Sequence, residues 1–118
     1  MTNFKFGDVV LVDFPQSGMA QKKKRPALVV LDTGDSDSVL APITTRKRFA
    51  QGDYKLIDWS TSGLLRESWV RLAKIASMEK SDINRRIGCL TDVDKEAVAA
   101  LWQLLYSFSS ENHEINRV

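Results

Sequence analysis

Lys22-Lys23-Lys24-Arg25-Pro26-Ala27-Leu28-Val29-Val30-Leu31 is the stretch on which the fold turns. Four cations run through a proline into five apolar residues. A short apolar run of this kind reads as a buried β-strand. Pro26 has no amide proton to give a ladder, so it belongs at the start of that strand. The expected strand is Ala27 to Leu31, and the cationic block before it lies in water. Arg25 is thereby a cation held at the rim of a rigid scaffold. A second strand-like run ends in Pro42-Ile43-Thr44-Thr45-Arg46-Lys47-Arg48, which again joins hydroxyls to cations. Two such rims side by side make a phosphate-binding groove.

Working outward, Asp8 to Phe14 is rich in β-branched residues, opened by Gly7 and closed by Pro15, and reads as a strand. Gln16 to Lys24 reads as a long polar loop. Further strands are expected at Ser38 to Ile43, Tyr54 to Trp59 and Ser68 to Ile75, with a basic loop from Arg46 to Asp53 and a turn over Ser60 to Gly63. On the Ser68 strand, alternation places Val70, Leu72 and Lys74 on one face and Trp69, Arg71, Ala73 and Ile75 on the other. Ser81-Asp82-Ile83-Asn84 reads as one helical turn. Thr91-Asp92-Val93-Asp94 has the hydroxyl and acid spacing of a helix start. Ala97, Leu101, Leu104, Leu105 and Phe108 follow at helical spacing, so Asp92 to Phe108 is an amphipathic helix whose Leu101, Leu104, Leu105 and Phe108 face the core. From Ser109 the chain is polar and frayed. Short strands followed by one helix describe a mainly β fold, a small twisted barrel capped by a C-terminal helix. The connections are too short for crossover helices, which argues against a parallel sheet.

The 118 residues suit one domain, 43% of them apolar and 27% charged, with a net charge of +2. The distribution of charge says more than its total. Residues 21–50 hold seven cations against three carboxylates, a net +4, which leaves −2 for the rest. A basic face on a near-neutral body points to a polyanion. One cysteine, Cys89, excludes an intramolecular disulfide; its apolar neighbours suit a buried structural thiol. No apolar run is long enough for a membrane span, and no apolar signal region opens the chain, so a cytoplasmic, soluble protein is expected.

Several chemistries lack their residues. The one histidine, His113, lies in the polar tail and reads as a bystander. There is no His/Cys cluster for zinc, no glycine-rich phosphate loop and no triad. The scattered carboxylates announce no magnesium site, and neither metal nor cofactor is expected. An enzyme built from Arg, Lys, Thr and Ser suits phosphodiester chemistry on RNA. There the substrate's own 2′-hydroxyl is the nucleophile, and the protein need only position it and stabilise the charge growing on phosphorus.

The chain resembles the PemK/MazF toxins, the messenger-RNA interferases of type II toxin–antitoxin modules, from Gly7 to about Phe108. The resemblance is carried by Gly7-Asp8-Val9-Val10-Leu11-Val12, Arg25-Pro26-Ala27-Leu28-Val29-Val30 and Ala41-Pro42-Ile43-Thr44-Thr45. It continues through Gly63 to Ile75, which includes Arg66-Glu67-Ser68-Trp69-Val70, and closes on Ile87-Gly88-Cys89-Leu90. It implies a single PemK/MazF-like domain over residues 1–118, an SH3-like barrel and a homodimer. It also implies sequence-selective, metal-independent cleavage of single-stranded mRNA, leaving a 2′,3′-cyclic phosphate and a 5′-hydroxyl. A cognate antitoxin protein is implied as partner, with DNA binding by the complex of the two. The family's active-site pair maps onto Arg25 and Thr44. Lys74 stands where many members carry a Gln that shapes the RNA groove, which implies a different base preference. Some members use an Asp and a His with their Arg; no histidine occupies that region here.

Each residue has a plainer reading beside the functional one. Arg25 as a strand-edge charge deters aggregation; as a catalytic residue it stabilises the phosphorane through forked hydrogen bonds or donates a proton to the leaving 5′-oxygen. Thr44 is either an ordinary strand threonine or a hydroxyl contact to the scissile phosphate, with Thr45 taking that part if the register slips by one. Lys22, Lys23, Lys24, Arg46, Lys47 and Arg48 are phosphate-binding groups or solvated loop charges. Trp59 and Trp69 read first as packing and second as stacking platforms, with Phe49 a further stacking candidate. Arg71 pairs with Glu67 or Asp58, or faces RNA. Three functions follow: an endoribonuclease, a non-catalytic barrel of the kind that poisons DNA gyrase by binding it, and a degenerate member that binds RNA or antitoxin without cutting.

Overall fold

The computed structural model describes residues 3–15 and 22–107. Seven strands precede one α-helix: β1 (Asp8–Pro15), β2 (Lys22–Leu31), β3 (Asp37–Thr44), β4 (Asp53–Lys55), β5 (Trp69–Arg71), β6 (Ala76–Glu79), β7 (Ile83–Cys89) and α1 (Asp92–Tyr106). The sheet runs β4-β5-β3-β2-β1-β7, with every pairing antiparallel. The outer flank of β3 is shared: β6 pairs with Asp37 to Leu40 and β5 with Ile43 and Thr44. The expected barrel is realised as an open sheet, because β4 and β7 end the path without pairing to each other.

The central strands carry a core on each face. Val9, Leu28, Val30, Ala41 and Ile43 join one cluster with Val98 of α1. Their alternating neighbours Val10, Val12, Ala27, Val29 and Leu40 join a second cluster with Ile83, packed by Phe4 and Met78. Burial on both faces is why β2 reads as an unbroken apolar run and not as an alternation.

Several elements depart from their sequence expectations. β2 starts at Lys22, not Ala27, because the cationic block is paired to β1: Arg25 lies opposite Val12, and Lys24 opposite Asp13. The Ser68 to Ile75 strand shortens to Trp69–Arg71, and a 3₁₀ turn over Leu72–Lys74 follows, so Lys74 is not on a strand. The Tyr54 to Trp59 strand shortens to Asp53–Lys55, after which the chain bends into a 3₁₀ turn at Ser60–Ser62. β6 and β7 were not anticipated; both are exposed along much of their length and so lack an apolar run.

α1 is capped by Thr91, whose Oγ1 accepts from the Asp94 amide. The reciprocal half of a capping box does not form. The Asp94 carboxylate is wholly buried and accepts instead from the Tyr54 hydroxyl at 2.7 Å and from the Ile57 and Asp58 amides. The helix packs through Val98, Leu101, Trp102 and Leu105. Leu104, expected in the core, is 77% exposed: the core stripe runs one position to its side, and Phe108 lies outside the described residues. Cys89, expected to be buried, is exposed at the end of the sheet's edge strand.

Candidate functional site

The ladder between β2 and β3 sets Ala27 opposite Pro42. Carried two residues further, the same register sets Arg25 opposite Thr44, on the same face as Ala27. That face is the one packed by Val10, Val12 and Val29, so Arg25 emerges where the second core ends. The two side chains meet in a cleft of about 590 Å³. Lys23, Lys24, Arg25, Arg46 and Arg48 line it, and no carboxylate does. Among the described residues none of these five cations is ion-paired, although ion pairs form elsewhere, as at Arg86–Asp8 and Lys55–Glu67. Unneutralised cations around one cavity create a field that favours an anion.

Thr44 is half-buried and its Oγ1 accepts from the Arg46 amide at 3.2 Å. That bond turns the chain at the end of β3 and leaves the hydroxyl proton to point elsewhere. Thr45 lies one residue on, past the end of β3. It still borders the cleft, and it also borders an apolar pocket of about 540 Å³ containing Pro26 and Leu65.

The structure thus brings Lys23, Lys24, Arg25, Thr44, Thr45, Arg46 and Arg48 together. Lys22 belongs to the same strand, at its first position. Lys47 lines an adjoining depression of about 440 Å³ with Arg48, Phe49, Lys55 and Trp69. Lys74 is exposed and lines neither cavity. Trp69 is buried, with the Lys55 ammonium 5.8 Å from its ring centroid. Trp59 packs against the core, and Phe49 is 89% exposed. Arg71 pairs with neither Glu67 nor Asp58: its Nε donates to Asp53 at 3.2 Å, its partner across β4 and β5. Lys55 was missed in the sequence reading; its signal was alternation along a three-residue strand, too short a window to show a period.

Among the described residues no three His, Cys, Asp or Glu side chains converge as a metal site would require. No helix among them is long and apolar enough to cross a membrane.

Residues 5–105 match the family model of PemK-like, MazF-like toxins of type II toxin–antitoxin systems. The chain belongs to this family. Solved structures share the toxin's fold. The Mycobacterium tuberculosis toxin MazF-mt6 superposes with a TM-score of 0.70 at 20% identity, over 86% of this chain and 98% of its own. MazF from Deinococcus radiodurans superposes at 0.69 and 19% identity, over 92% and 100%. A mycobacterial endoribonuclease in complex with its cognate antitoxin superposes at 0.68 and 16% identity, over 88% and 97%. Comparison with curated protein sequences gives no match.

Proposed function

We propose that this toxin is a metal-independent endoribonuclease that cuts single-stranded mRNA at selected sequences. The observation that carries the reading is the opposition of Arg25 and Thr44 inside a cleft of unpaired cations. The scissile phosphate sits between them. The substrate's 2′-oxygen forms a bond to phosphorus as the bond from phosphorus to the 5′-oxygen breaks. The 2′-hydroxyl releases its proton to solvent, and the leaving 5′-oxygen takes one up. A 2′,3′-cyclic phosphate and a 5′-hydroxyl result. Arg25 places forked N–H donors against the equatorial oxygens, where negative charge grows, and the Thr44 hydroxyl donates to one of them. In this reading the planar fork of the Arg25 guanidinium acts as a charge stabiliser. Lys23, Lys24 and Arg46 hold the flanking phosphates.

The toxin forms a homodimer in the cytoplasm and is held inactive by a cognate antitoxin that competes with RNA for the cleft. The antitoxin-bound mycobacterial endoribonuclease with the same fold supports that partner.

The test is incubation of the protein with single-stranded mRNA in excess EDTA, beside Arg25→Ala, with new ends mapped by primer extension. Discrete cuts by the wild type that vanish in the variant support the reading. A folded wild type that makes no cuts overturns it. The weight then passes to a toxin that binds a protein, for which exposed Val93 and Leu104 on α1 would be the contact to probe.

A further inference from the structure

Arg48 is the shared wall of the Arg25 cleft and the neighbouring depression. Its Nε is buried, yet no hydrogen-bond acceptor among the described residues reaches it. A buried donor without a partner is rare in folded proteins and marks a place where one is missing. No carboxylate lines the cleft, and Asp53, which borders the depression, is already engaged with Arg71 and the Ala50 amide. Immediately after Arg48 comes Phe49, whose ring is 89% exposed. Lys47 and Lys55 stand around it in the same depression. An aromatic ring held in water among cations is costly for a fold and useful for stacking a base.

The geometry points to a nucleotide subsite in this depression: Arg48 binds the phosphate next to the scissile one, and Phe49 stacks its base. This rests on the reading of the cleft as an RNA site and adds the path of the strand, which leaves Arg25, passes Arg48 and lies over Phe49. A π-face accepts any base, so the subsite contributes affinity and direction with little selectivity. The phosphate supplies the acceptor that the Arg48 Nε lacks.

The experiment uses the wild-type protein and a short fluorescent 2′-O-methyl RNA of randomised sequence, which has no free 2′-hydroxyl and is not cut. Anisotropy titrations across a range of KCl give affinity and its salt dependence for wild type, Phe49→Ala, Phe49→Trp and Arg48→Gln. Phe49→Ala weakens binding roughly 5-fold to 100-fold with an unchanged salt slope, and Phe49→Trp retains it. Arg48→Gln weakens binding and lowers the salt slope by about 0.7. A purely structural role for either residue moves neither the slope nor the Phe-to-Trp rescue in this pattern, and circular dichroism checks that each variant is folded. Wild-type binding that Phe49→Ala and Arg48→Gln leave unaltered overturns the subsite while the RNA reading stands. No RNA binding by the wild type overturns both.

Discussion

Thr44 and Asp94 show how a single oxygen is committed by its neighbours. The Thr44 Oγ1 already accepts from the Arg46 amide, so its proton is the part left for a ligand. Thr44→Val keeps the strand's branched shape and removes that donor. Cleavage should fall about 100-fold in kcat, the scale seen when one donor to a developing oxyanion is lost, with little change in thermal midpoint. Single-turnover cleavage of a mapped RNA site checks it, and equal kcat in the two proteins refutes a phosphate contact for Thr44. Asp94 is committed the other way. Its carboxylate serves the Tyr54 hydroxyl and the Ile57 and Asp58 amides, and Tyr54 is held protonated well above the ordinary tyrosine range by its own burial and by that bond. Asp94→Ala leaves three donors without their acceptor and should cost about 3 kcal/mol or more in urea unfolding. The sequence showed Asp94 as half of a helix-start motif because local spacing was all it offered. Partners 36 to 40 residues away along the chain leave no local trace.

The N-terminal segment, the β2–β3 turn and the 3₁₀ turn at Lys80–Asp82 before β7 are joined as elements through one carboxylate. Asp32 accepts from the Phe4 amide at 2.7 Å, the Gly34 amide at 2.8 Å and the Lys80 ammonium at 2.9 Å. The Phe4 amide foremost, with Lys80 and Gly34, holds its carboxyl below the ordinary value against the opposing effect of burial. A depressed carboxylate stabilises the fold fully above its unfolded pKa of about 3.9, and that stability is lost as pH falls through the folded value. Asp32→Asn should therefore lower the melting temperature at neutral pH and narrow the gap to wild type below pH about 4; a constant gap down to strongly acidic pH refutes the linkage. The turn at Ser60–Ser62 docks on β7 by a different device. Gly63 has φ +90°, and a Cβ there would collide with the Ile87 carbonyl oxygen. Gly63→Ala combines a left-handed strain with a backbone clash and should cost about 2–4 kcal/mol by urea denaturation. Strands β1, β2 and β3 and helix α1 were legible because they carry long apolar signals. β4 and β5 were overextended, and β6 and β7 were missed, because strands of three or four residues and a half-exposed edge show no pattern that tertiary pairing does not impose.

Across the whole molecule, the small net charge of +2 hides a division that the fold sharpens. Elsewhere some cations are met by carboxylates, as at Lys80–Asp32 and Arg71–Asp53. At the cleft, five cations converge from β2 and the segment after β3, with no carboxylate among the described residues to meet them. The sequence displayed both basic runs and the candidate pair Arg25 and Thr44. It did not display that the runs share one cavity, since that follows from the register of β2 against β3. It also did not display that Lys74 stays outside, since β5 ends at Arg71 and Lys74 lies on the 3₁₀ turn that follows. The convergence makes a quantitative demand on binding. Each phosphate neutralised on a single strand contributes about 0.7 to the fall of log affinity with log salt, so five give a slope of roughly −3.5. Anisotropy titrations of an uncleavable RNA from low to moderate KCl read that slope. A value near zero would mean that the cleft cations do not meet phosphates, and that the basic face serves an acidic protein surface or no ligand at all. Substituting Lys23 and Lys24 together by Gln should bring the slope to roughly −2, because the loss belongs to the electrostatic field and not to one contact.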